Sequence, residues 1–437
     1  MAFGFLTREK RLSHLKHILY NIKDSLTYAK TLLKWIFVSL IIGLIGGSIG
    51  SIFHIGIDLV TEYRTEHSWV LYLLPAGGLL LAALYGLCKR FGKLDTNRVL
   101  DAVKTEDKVP LVMAPLIFIS TVVTHFVGGS AGREGAALQL GGSIGYNTGK
   151  LLHLDKKDLH IAVMTGMSAV FAALFGTPLT AAVFALEVVS VGVSYYAALV
   201  PCVFAAIVAS RLALSFGLHP VHFSGVLIPE ISLTVVGQVI VLSVLCALVS
   251  ILFCVSIKKC EHITEKLLPN RYIRGFLGGG VILLISLLIN LMTGAFDYNG
   301  AGMDVITRAI TEGIARPEAF ILKILLTAIT ISVGFKGGEI VPAFFIGSTF
   351  GCLAGSLLGL DAGFAAAIGF TALFCGAVNC PLASTILALE VFGSEGILLF
   401  ALACSISFMM SGRFSLYKSQ TIVYSKIEDR YINAETM

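Results

Sequence analysis

One glutamate lies inside a glycine-rich, apolar part of the chain, and its chemistry needs an explanation. Residues 127–145 read VGGSAGREGAALQLGGSIG, so Arg133 and Glu134 directly follow a run of small residues. Carboxylates inside apolar spans are rare and usually functional. A carboxylate in such a place can bind and release a proton, and it can compete with an anion for the same hydrogen-bond donors.

A second glutamate has similar surroundings. Residues 334–348 read GFKGGEIVPAFFIGS, so Glu339 follows two glycines and is soon followed by a proline. An ion pair with Lys336 would make this carboxylate a structural element. Without that pair, Glu339 could be a second carboxylate linked to proton or anion movement. The sequence leaves both explanations open.

A serine in the first segment allows a different chemistry. GGSAG at 128–132 fits the G-x-S-x-G pattern of serine hydrolases, and His125 lies close to Ser130 in the sequence. That nucleophile needs a strand-to-helix turn and a partner base, whereas the apolar segments around Ser130 predict membrane helices. We therefore expect that the protein is not an enzyme, and an intramembrane serine hydrolase is a distant alternative.

The elements that must position these residues are membrane helices. Of the 437 residues, 56% are hydrophobic and 14% are charged, whereas a soluble protein has about 25% charged residues. A straight helix crosses a bilayer with about 20 apolar residues. Long apolar runs cover residues 36–60, 69–88, 110–129, 193–217, 233–257, 275–294, 318–335 and 395–411. The composition predicts an all-α, polytopic membrane protein.

Basic residues predict the orientation of the chain. Residues 1–30 are rich in Lys and Arg and lead directly into a full span, which predicts an uncleaved cytoplasmic amphipathic helix rather than a signal peptide. The basic loops 89–98 and 258–274 should also be cytoplasmic because cytoplasmic loops are enriched in Lys and Arg. We expect a multi-pass protein of the cell membrane with both termini in the cytoplasm. The net charge of +5 is then a topology signal, and no nucleic-acid partner is expected.

The chain contains an internal duplication. TPLTAAVFALE at 177–187 returns as CPLASTILALE at 380–390, and each copy follows a glycine-rich segment with a glutamate. Glu187 and Glu390 therefore occupy corresponding places, and we expect them to have structural roles at helix ends. The expected organisation is an N-terminal helix at 1–30, a first transmembrane repeat at 31–257, a cytoplasmic linker at 258–274, a second repeat at 275–425 and a cytoplasmic tail at 426–437.

The segments that carry Glu134 and Glu339 are interrupted by Gly or Pro. Broken helices are tolerated in a membrane only where they line an enclosed or wet cavity, because unpaired backbone groups are costly in hydrocarbon. The N-terminus of a helix has a partial positive charge and free N–H donors, which bind anions. We therefore expect half-helices that meet at mid-membrane, with the Glu134 carboxylate in the place of an anion. Moving or protonating this carboxylate would open the path.

These motifs resemble those of the CLC family of anion channels and halide/proton antiporters. The family motif G-(K/R)-E-G-P is similar to GREGA at 132–136, and G-x-F-x-P is similar to GEIVP at 338–342. A pore tyrosine on a final half-helix is similar to Tyr417. The resemblance implies a homodimer in which each subunit has a pore between two inverted-topology repeats. It also implies that Glu134 is the gate and that amides near Glu134 and Ile340 bind the anion. The CBS domains of many members are not expected.

Departures from the usual pattern make the chain resemble the fluoride-exporting branch of the family, CLC-F. The loop LDTNRVLDAV places Asn97 near the position of the family's pore serine. Val188 stands where chloride/proton exchangers have an inner proton-relay glutamate, and Glu339 adds a carboxylate beside the pore amides. Val341 departs from that branch, in which threonine commonly precedes the proline.

The resemblance and the residues together define an expected site. The anion-binding residues would be Asn97, Glu134, Ile340 and Tyr417, with Glu134 as gate and proton carrier. Possible modulators are Arg133, Glu339 and Phe344. Asn97 could instead be a helix N-cap, Tyr417 an interfacial anchor, and Phe344 a packing residue.

The expected function is exchange of a halide for protons. Inward proton flow would drive the export of fluoride across the lipid bilayer, and no metal or cofactor is expected. A chloride channel or chloride/proton antiporter of the same fold is the alternative, because Val188 is compatible with a channel.

Overall fold

The computed structural model describes residues 8–105 and 107–437, with side chains described from residue 25 onward. These residues form sixteen α-helices, three short 3-10 helices and three short strands. The α-helices are α1 (Arg8–Glu66), α2 (Leu74–Leu87), α3 (Thr96–Lys104), α4 (Met113–Val127), α5 (Glu134–Leu151), α6 (Lys156–Phe175), α7 (Pro178–Glu187), α8 (Leu199–Ser215), α9 (Leu233–Leu267), α10 (Arg271–Thr293), α11 (Met303–Thr311), α12 (Ala319–Ser332), α13 (Ile340–Leu357), α14 (Ala362–Val378), α15 (Pro381–Phe392) and α16 (Ile397–Met410). The 3-10 helices are Ser68–Leu73, Lys89–Phe91 and Tyr196–Ala198, and the strands are β1 (Ser190–Val191), β2 (Thr421–Tyr424) and β3 (Tyr431–Glu435).

The predicted polytopic helical fold is confirmed. Seven helices of the described chain are long and apolar enough to cross a membrane, judged by length and composition, and each of the eight predicted apolar runs lies on a helix. Two of the seven, α6 and α13, are 20 and 18 residues long and are not among the predicted apolar runs. The many small and polar residues of these two helices lower the local hydropathy. Such residues are tolerated there because the helices pack mostly against protein rather than lipid.

The first helix is longer than the sequence indicated. It runs without a break from Arg8 to Glu66, so the helix predicted at 1–30 continues directly into the first span. Residues 1–7 lie outside the described residues, as do the side chains before residue 25. The amphipathic character of this segment therefore stays a prediction.

Two helix pairs at corresponding places in the duplication pack backbone against backbone. A Cβ added to Gly166 of α6 would lie 2.1 Å from the carbonyl oxygen of Gly141 in α5, and one on Gly369 of α14 would lie 2.1 Å from that of Gly347 in α13. Small residues allow helices to approach this closely in membrane proteins. The α5–α6 and α13–α14 pairs thus use the same contact in both halves.

The duplicated Pro-to-Glu helices cap each other. The carboxylate of Glu390 accepts the N–H groups of Leu179 and Thr180 at 2.9 and 2.8 Å, in the first turn of α7. Glu187 in turn accepts the N–H groups of Leu382 and Ala383 at 3.2 and 2.8 Å, in the first turn of α15. Each carboxylate therefore satisfies free donors at a helix N-terminus and complements its dipole. Both glutamates have the helix-end role expected from the repeat.

The expected linker at 258–274 is mostly helical. Helix α9 extends to Leu267 and α10 begins at Arg271, which leaves only residues 268–270 between them. The Lys residues of this segment lie on the end of a long helix rather than in a loop. Eight α-helices end before residue 216 and eight begin after residue 232, which favours a join between the halves at 216–232. The boundaries of the repeats stay predictions.

The structure contains a small three-stranded sheet, which the predicted all-α fold does not include. Strand β1 pairs in parallel with β2, and β2 pairs antiparallel with β3. Periodicity does not reveal strands this short. The segment 426–437, expected to be a cytoplasmic tail, instead contains β3 and packs on the chain. Through β1, the sheet links the end of the chain to the residues that follow α7 in the first half.

We predict that Gly166→Ala destabilises the protein by about 1–3 kcal/mol, because its Cβ would overlap the α5 backbone. The matched control is Gly280→Ala in α10, where an added Cβ meets nothing within 4 Å. Thermal unfolding of the two variants in detergent checks this. Equal unfolding temperatures would contradict the backbone contact between α5 and α6.

Candidate anion pathway

The two glycine-rich motifs are joined by backbone hydrogen bonds. Gly132 donates its N–H to the carbonyl of Gly338 at 2.7 Å, and Gly338 donates to the carbonyl of Gly132 at 2.7 Å. This bridge places the first turns of α5 and α13 beside each other. The residues predicted from the two halves, Glu134 and Ile340, are the first residues of these two helices.

Both helices present unpaired amides at this place. The first hydrogen bonds within the two helices are donated by Ala137 and Ala343. The N–H groups of the preceding residues therefore have no acceptor within their own helix, and Pro342 has no N–H at all. Since the residues of both first turns are buried, these donors form a place where an anion can replace water.

Glycine is required for this close approach. A Cβ on Gly338 would lie 2.3 Å from the backbone nitrogen of Gly135, and one on Gly135 would lie 2.7 Å from the Cα of Gly338. Any larger residue would therefore separate the two helix ends. The contact between the two helix ends, and not a turn conformation, therefore explains why glycine occupies these two positions.

The Glu134 carboxylate lies at the N-terminus of its own helix. It is 2% exposed, accepts the N–H of Arg133 at 3.0 Å, and lies 3.6 Å from the Arg133 guanidinium. Arg133 is itself bound to Asp58 of α1 at 2.7 Å, and Asp58 lies 3.2 Å from His54. The carboxylate thus occupies an amide-rich place, and its neighbouring cation is held by a third group.

Asp58 and His54 are not among the site residues predicted from the sequence. They are four residues apart on one face of α1, and both lie within a predicted apolar span. Polar side chains spaced by one helical turn inside such a span are a signal that could have identified them. The partner of Asp58 in the fold is Arg133, the residue that precedes α5, which the spacing alone does not indicate.

Two cavities approach the helix ends from different sides. The first, which we call the outer cavity, has a volume of about 350 Å³, and its lining includes Asp58, Arg64, His125, Arg133, Glu134 and Val341. The second, which we call the inner cavity, has a volume of about 580 Å³, and its lining includes Asn97, Gln139, Lys336, Glu339, Tyr417 and Lys418. Glu134 and Glu339, which closely follow the paired Gly132 and Gly338 in the chain, therefore face different cavities.

Glu339 reaches the start of the first-half helix. Its Oε2 lies 3.2 Å from the position that a Cβ on Gly135 would occupy. Among the described residues Lys336 and Glu339 form no salt bridge, and the Lys336 ammonium lies 4.6 Å from the ring centroid of Tyr85. Both side chains line the inner cavity, and the Glu339 carboxylate lies beside the start of α5.

Asn97 is not a helix N-cap. Asp95 caps α3 by accepting the N–H of Arg98 at 3.1 Å. The Asn97 Oδ1 instead accepts the N–H of Ser419 at 3.0 Å, while its Nδ2 has no hydrogen-bond partner within the described part of the chain. Asn97 therefore holds the loop that carries Tyr417 and leaves its amide donors available to the inner cavity.

Tyr417 lies in the loop between α16 and β2, not on a final half-helix as expected. Its side chain is 2% exposed, and its hydroxyl has no hydrogen-bond partner. Thr436 donates its hydroxyl to the Tyr417 carbonyl at 2.7 Å, so the folded-back C-terminal segment fixes the loop. A buried hydroxyl without a partner is unfavourable, and it is available to a ligand in the inner cavity.

Phe344 packs in an aromatic cluster. Its ring is stacked on Phe370 with centroids 3.9 Å apart and lies 4.9 Å from Phe374. It lines neither the outer nor the inner cavity in the part of the chain that the structure describes. Any influence of Phe344 on the site would act through the position of α13.

Ser130 and His125 do not form a catalytic pair. The Ser130 hydroxyl donates to the carbonyl of Tyr298 at 2.9 Å and lies 3.1 Å from the Thr327 hydroxyl. His125 Nδ1 lies 2.9 Å from the carbonyl of Thr121 in its own helix. The serine is therefore part of a polar packing contact, and the described residues give it no base.

Comparisons with known proteins agree on one family. A profile of the family described as Voltage gated chloride channel matches residues 80–412. A relative named Chloride/fluoride channel protein, from Pseudomonas syringae pv. tomato, is 36% identical over 400 residues, which cover 90% of this chain and 87% of the relative.

Solved structures show the same fold. A CLC-type fluoride/proton antiporter matches with a TM-score of 0.83 and 30% sequence identity, covering 89% of this chain and 98% of that chain. A slow cyanobacterial Cl⁻/H⁺ antiporter matches with a TM-score of 0.73 and 21% identity, covering 86% of this chain and 94% of that chain. The second likeness concerns the fold alone.

We predict that Tyr417→Phe weakens halide binding by roughly three- to tenfold, because it removes a donor without a protein partner. The unfolding temperature should not fall, since no protein hydrogen bond is lost. Thr436→Val is the matched comparison, because it removes the hydroxyl that holds the loop and should lower stability. Calorimetric titration with sodium fluoride and thermal unfolding measure the two effects. A Tyr417→Phe protein with unchanged affinity would exclude the hydroxyl as a ligand.

Proposed function

Because the chain belongs to the voltage-gated chloride channel family, we propose that it exports fluoride in exchange for protons. The family consists of membrane transport proteins, so the chain is an anion transporter of CLC type and not an enzyme. The observation that carries the proposal is the position of the buried Glu134 carboxylate, which lies at the N-terminus of α5, accepts the Arg133 N–H and lines the outer cavity.

Glu134 would exchange places with the anion. When ionised, its carboxylate takes the helix-end donors and closes the path. Protonation removes the negative charge that the amides and Arg133 attract, so the side chain can leave toward the outer cavity and an anion can enter. The side chain takes its proton from the outer side, returns still protonated and releases the proton toward the inner cavity. The ionised carboxylate then displaces the anion toward the outer cavity. Each cycle thereby links proton movement to anion movement.

Fluoride is the proposed anion because the pathway offers several strong donors. A small, tightly hydrated ion needs many hydrogen bonds to replace its water. The Asn97 amide, the Tyr417 hydroxyl and the amides near Ile340 and Glu134 would supply them. The proposal is also supported by the 30% identity to a fluoride/proton antiporter over 89% of the chain.

Glu339 would be a second proton-linked carboxylate on the inner side. It lies beside the start of α5 and faces the inner cavity, where a proton that has left Glu134 would arrive. Val188 offers no such group at the position of the usual inner glutamate. Arg133 would tune the Glu134 carboxylate, and Phe344 would hold the α13 helix in place.

The remaining parts of the proposal concern the setting of the pore. The protein would be a homodimer in the cell membrane with one pore in each subunit, and both termini would face the cytoplasm. The inner cavity would then face the cytoplasm, in agreement with Lys93, Lys258 and Lys418 in its lining and with the enrichment of basic residues on that side.

We predict that Glu134→Gln abolishes proton coupling, because glutamine retains the shape of the side chain but does not ionise. Liposomes containing the protein would be followed with a fluoride electrode and a pH electrode. An outward fluoride gradient should drive uphill proton uptake in the wild type but not in the variant. The matched control is Glu395→Gln, an exposed glutamate outside the linings of both cavities.

Glu339→Gln gives a separate prediction. If this carboxylate relays the proton on the inner side, proton uptake should fall at least tenfold while fluoride binding remains. Coupling that persists in Glu339→Gln would remove Glu339 from the proton path without affecting the role of Glu134.

The same liposomes distinguish the rival function. Fluoride movement that cannot drive protons uphill in the wild type would identify a passive channel. Equal coupling with chloride and with fluoride would identify a chloride/proton antiporter of the same fold.

A further inference from the structure

A buried lysine lies close to the outer cavity without an acidic partner. Lys323 of α12 is 0% exposed. Its ammonium donates to the carbonyls of Tyr298 and Gly300 at 3.1 and 2.7 Å and lies 4.9 Å from the ring centroid of Phe345. Within the described residues it forms no ion pair. Carbonyls and a ring face compensate a buried cation only in part, so the protonated form of Lys323 keeps uncompensated positive charge.

Arg64 is a second cation beside the same loop. It is 7% exposed, lines the outer cavity and donates one N–H to the His125 carbonyl at 2.6 Å. Its other N–H groups have no partner among the residues that the structure describes. A Cβ on Gly300 would lie 2.9 Å from both terminal nitrogens of Arg64. Gly300 is thus between the guanidinium and the Lys323 ammonium, and two like charges share one region.

The carboxylates of the outer cavity are engaged elsewhere. Asp58 is bound to Arg133, and Asp297 is bound to Arg308 at 3.0 Å. Glu134 accepts the Arg133 amide, and the remaining one, Asp304, is exposed and forms no ion pair with Arg64 in the described structure. Two cations that repel each other in a medium of low dielectric constant therefore lack a protein counter-charge.

His125 provides an independent indication of a ligand. It is 1% exposed and lines the outer cavity. Its Nδ1 lies 2.9 Å from the Thr121 carbonyl; since a carbonyl only accepts, Nδ1 carries the hydrogen. Nε2 is then an acceptor in the neutral ring, and it has no partner. A buried acceptor of this kind needs a donor from water or a ligand.

We infer that Arg64 and His125 form a separate anion site in the outer cavity, which binds a halide together with one water molecule. The free N–H groups of Arg64 donate to the halide, and the water donates one hydrogen to the halide and the other to His125 Nε2. Lys323 lies behind the site and adds positive charge to it when protonated. This inference deepens the proposed anion transport: the site would hold a partly hydrated ion before Glu134 yields its place.

The test uses bromide as a probe in crystals of the full-length protein. An anomalous peak should lie within hydrogen-bond distance of the Arg64 guanidinium, apart from any peak at the α5 and α13 helix ends. In Arg64→Gln crystals this peak should disappear, and the apparent Michaelis constant for fluoride entering from the outer-cavity side should rise about tenfold. The control Arg90→Gln changes an exposed arginine outside both cavity linings and should retain both properties.

Arg64 also donates to the His125 carbonyl, and losing this hydrogen bond could prevent Arg64→Gln from folding. Lys323→Met is therefore a second test variant. This neutral variant keeps the guanidinium and removes the charge behind it, so bromide occupancy at Arg64 should fall. An absent bromide peak in the wild type, or unchanged occupancy in both variants, would overturn the inference. Failure of the proposed exchange looks different: proton coupling would be missing in the wild type while the Arg64 peak remained.

Discussion

The pathway depends on the backbone pairing of Gly132 with Gly338. Two hydrogen bonds of 2.7 Å hold the first turns of α5 and α13 together, and no side chain intervenes. The pairing brings the free donors of two helix N-termini to one buried place, where they would bind an anion more strongly than one helix end. Because a Cβ on Gly338 would lie 2.3 Å from the Gly135 nitrogen, the contact also explains the glycines around both motifs.

Two cavities with no lining residue in common lie near this contact, and their charged groups are arranged differently. Toward the outer cavity, Glu134 is bound to Arg133, which Asp58 holds in turn. Toward the inner cavity, the Tyr417 hydroxyl has no protein partner, and Glu339 has no ion pair in the described structure. Buried charges and unpaired donors are costly. Their concentration on both sides of one bridge is consistent with a path on which ions and protons replace each other.

Contacts between corresponding parts of the two halves stabilise the fold and also position the candidate site. Glycine contacts between α5 and α6 recur between α13 and α14. The carboxylates of Glu187 and Glu390 cap the first turns of each other's repeat helices. Each half therefore satisfies backbone groups of the other half. The N-termini of α5 and α13 lie beside each other because one comes from each half and the Gly132–Gly338 pairing joins them. A single repeat would leave both its glutamate and its helix end without partners.

The sequence by itself determined the membrane class and the family motifs and singled out Glu134 for the proposed gate, because hydropathy, glycine spacing and a carboxylate in an apolar run are local properties. It did not determine that Asn97 holds the Tyr417 loop through Ser419 or that the final residues form a strand. It also missed Asp58, which joins the site from a helix distant in the chain. Only the tertiary structure decided these contacts, since pairing between distant segments depends on how the helices pack and not on the local pattern of residues.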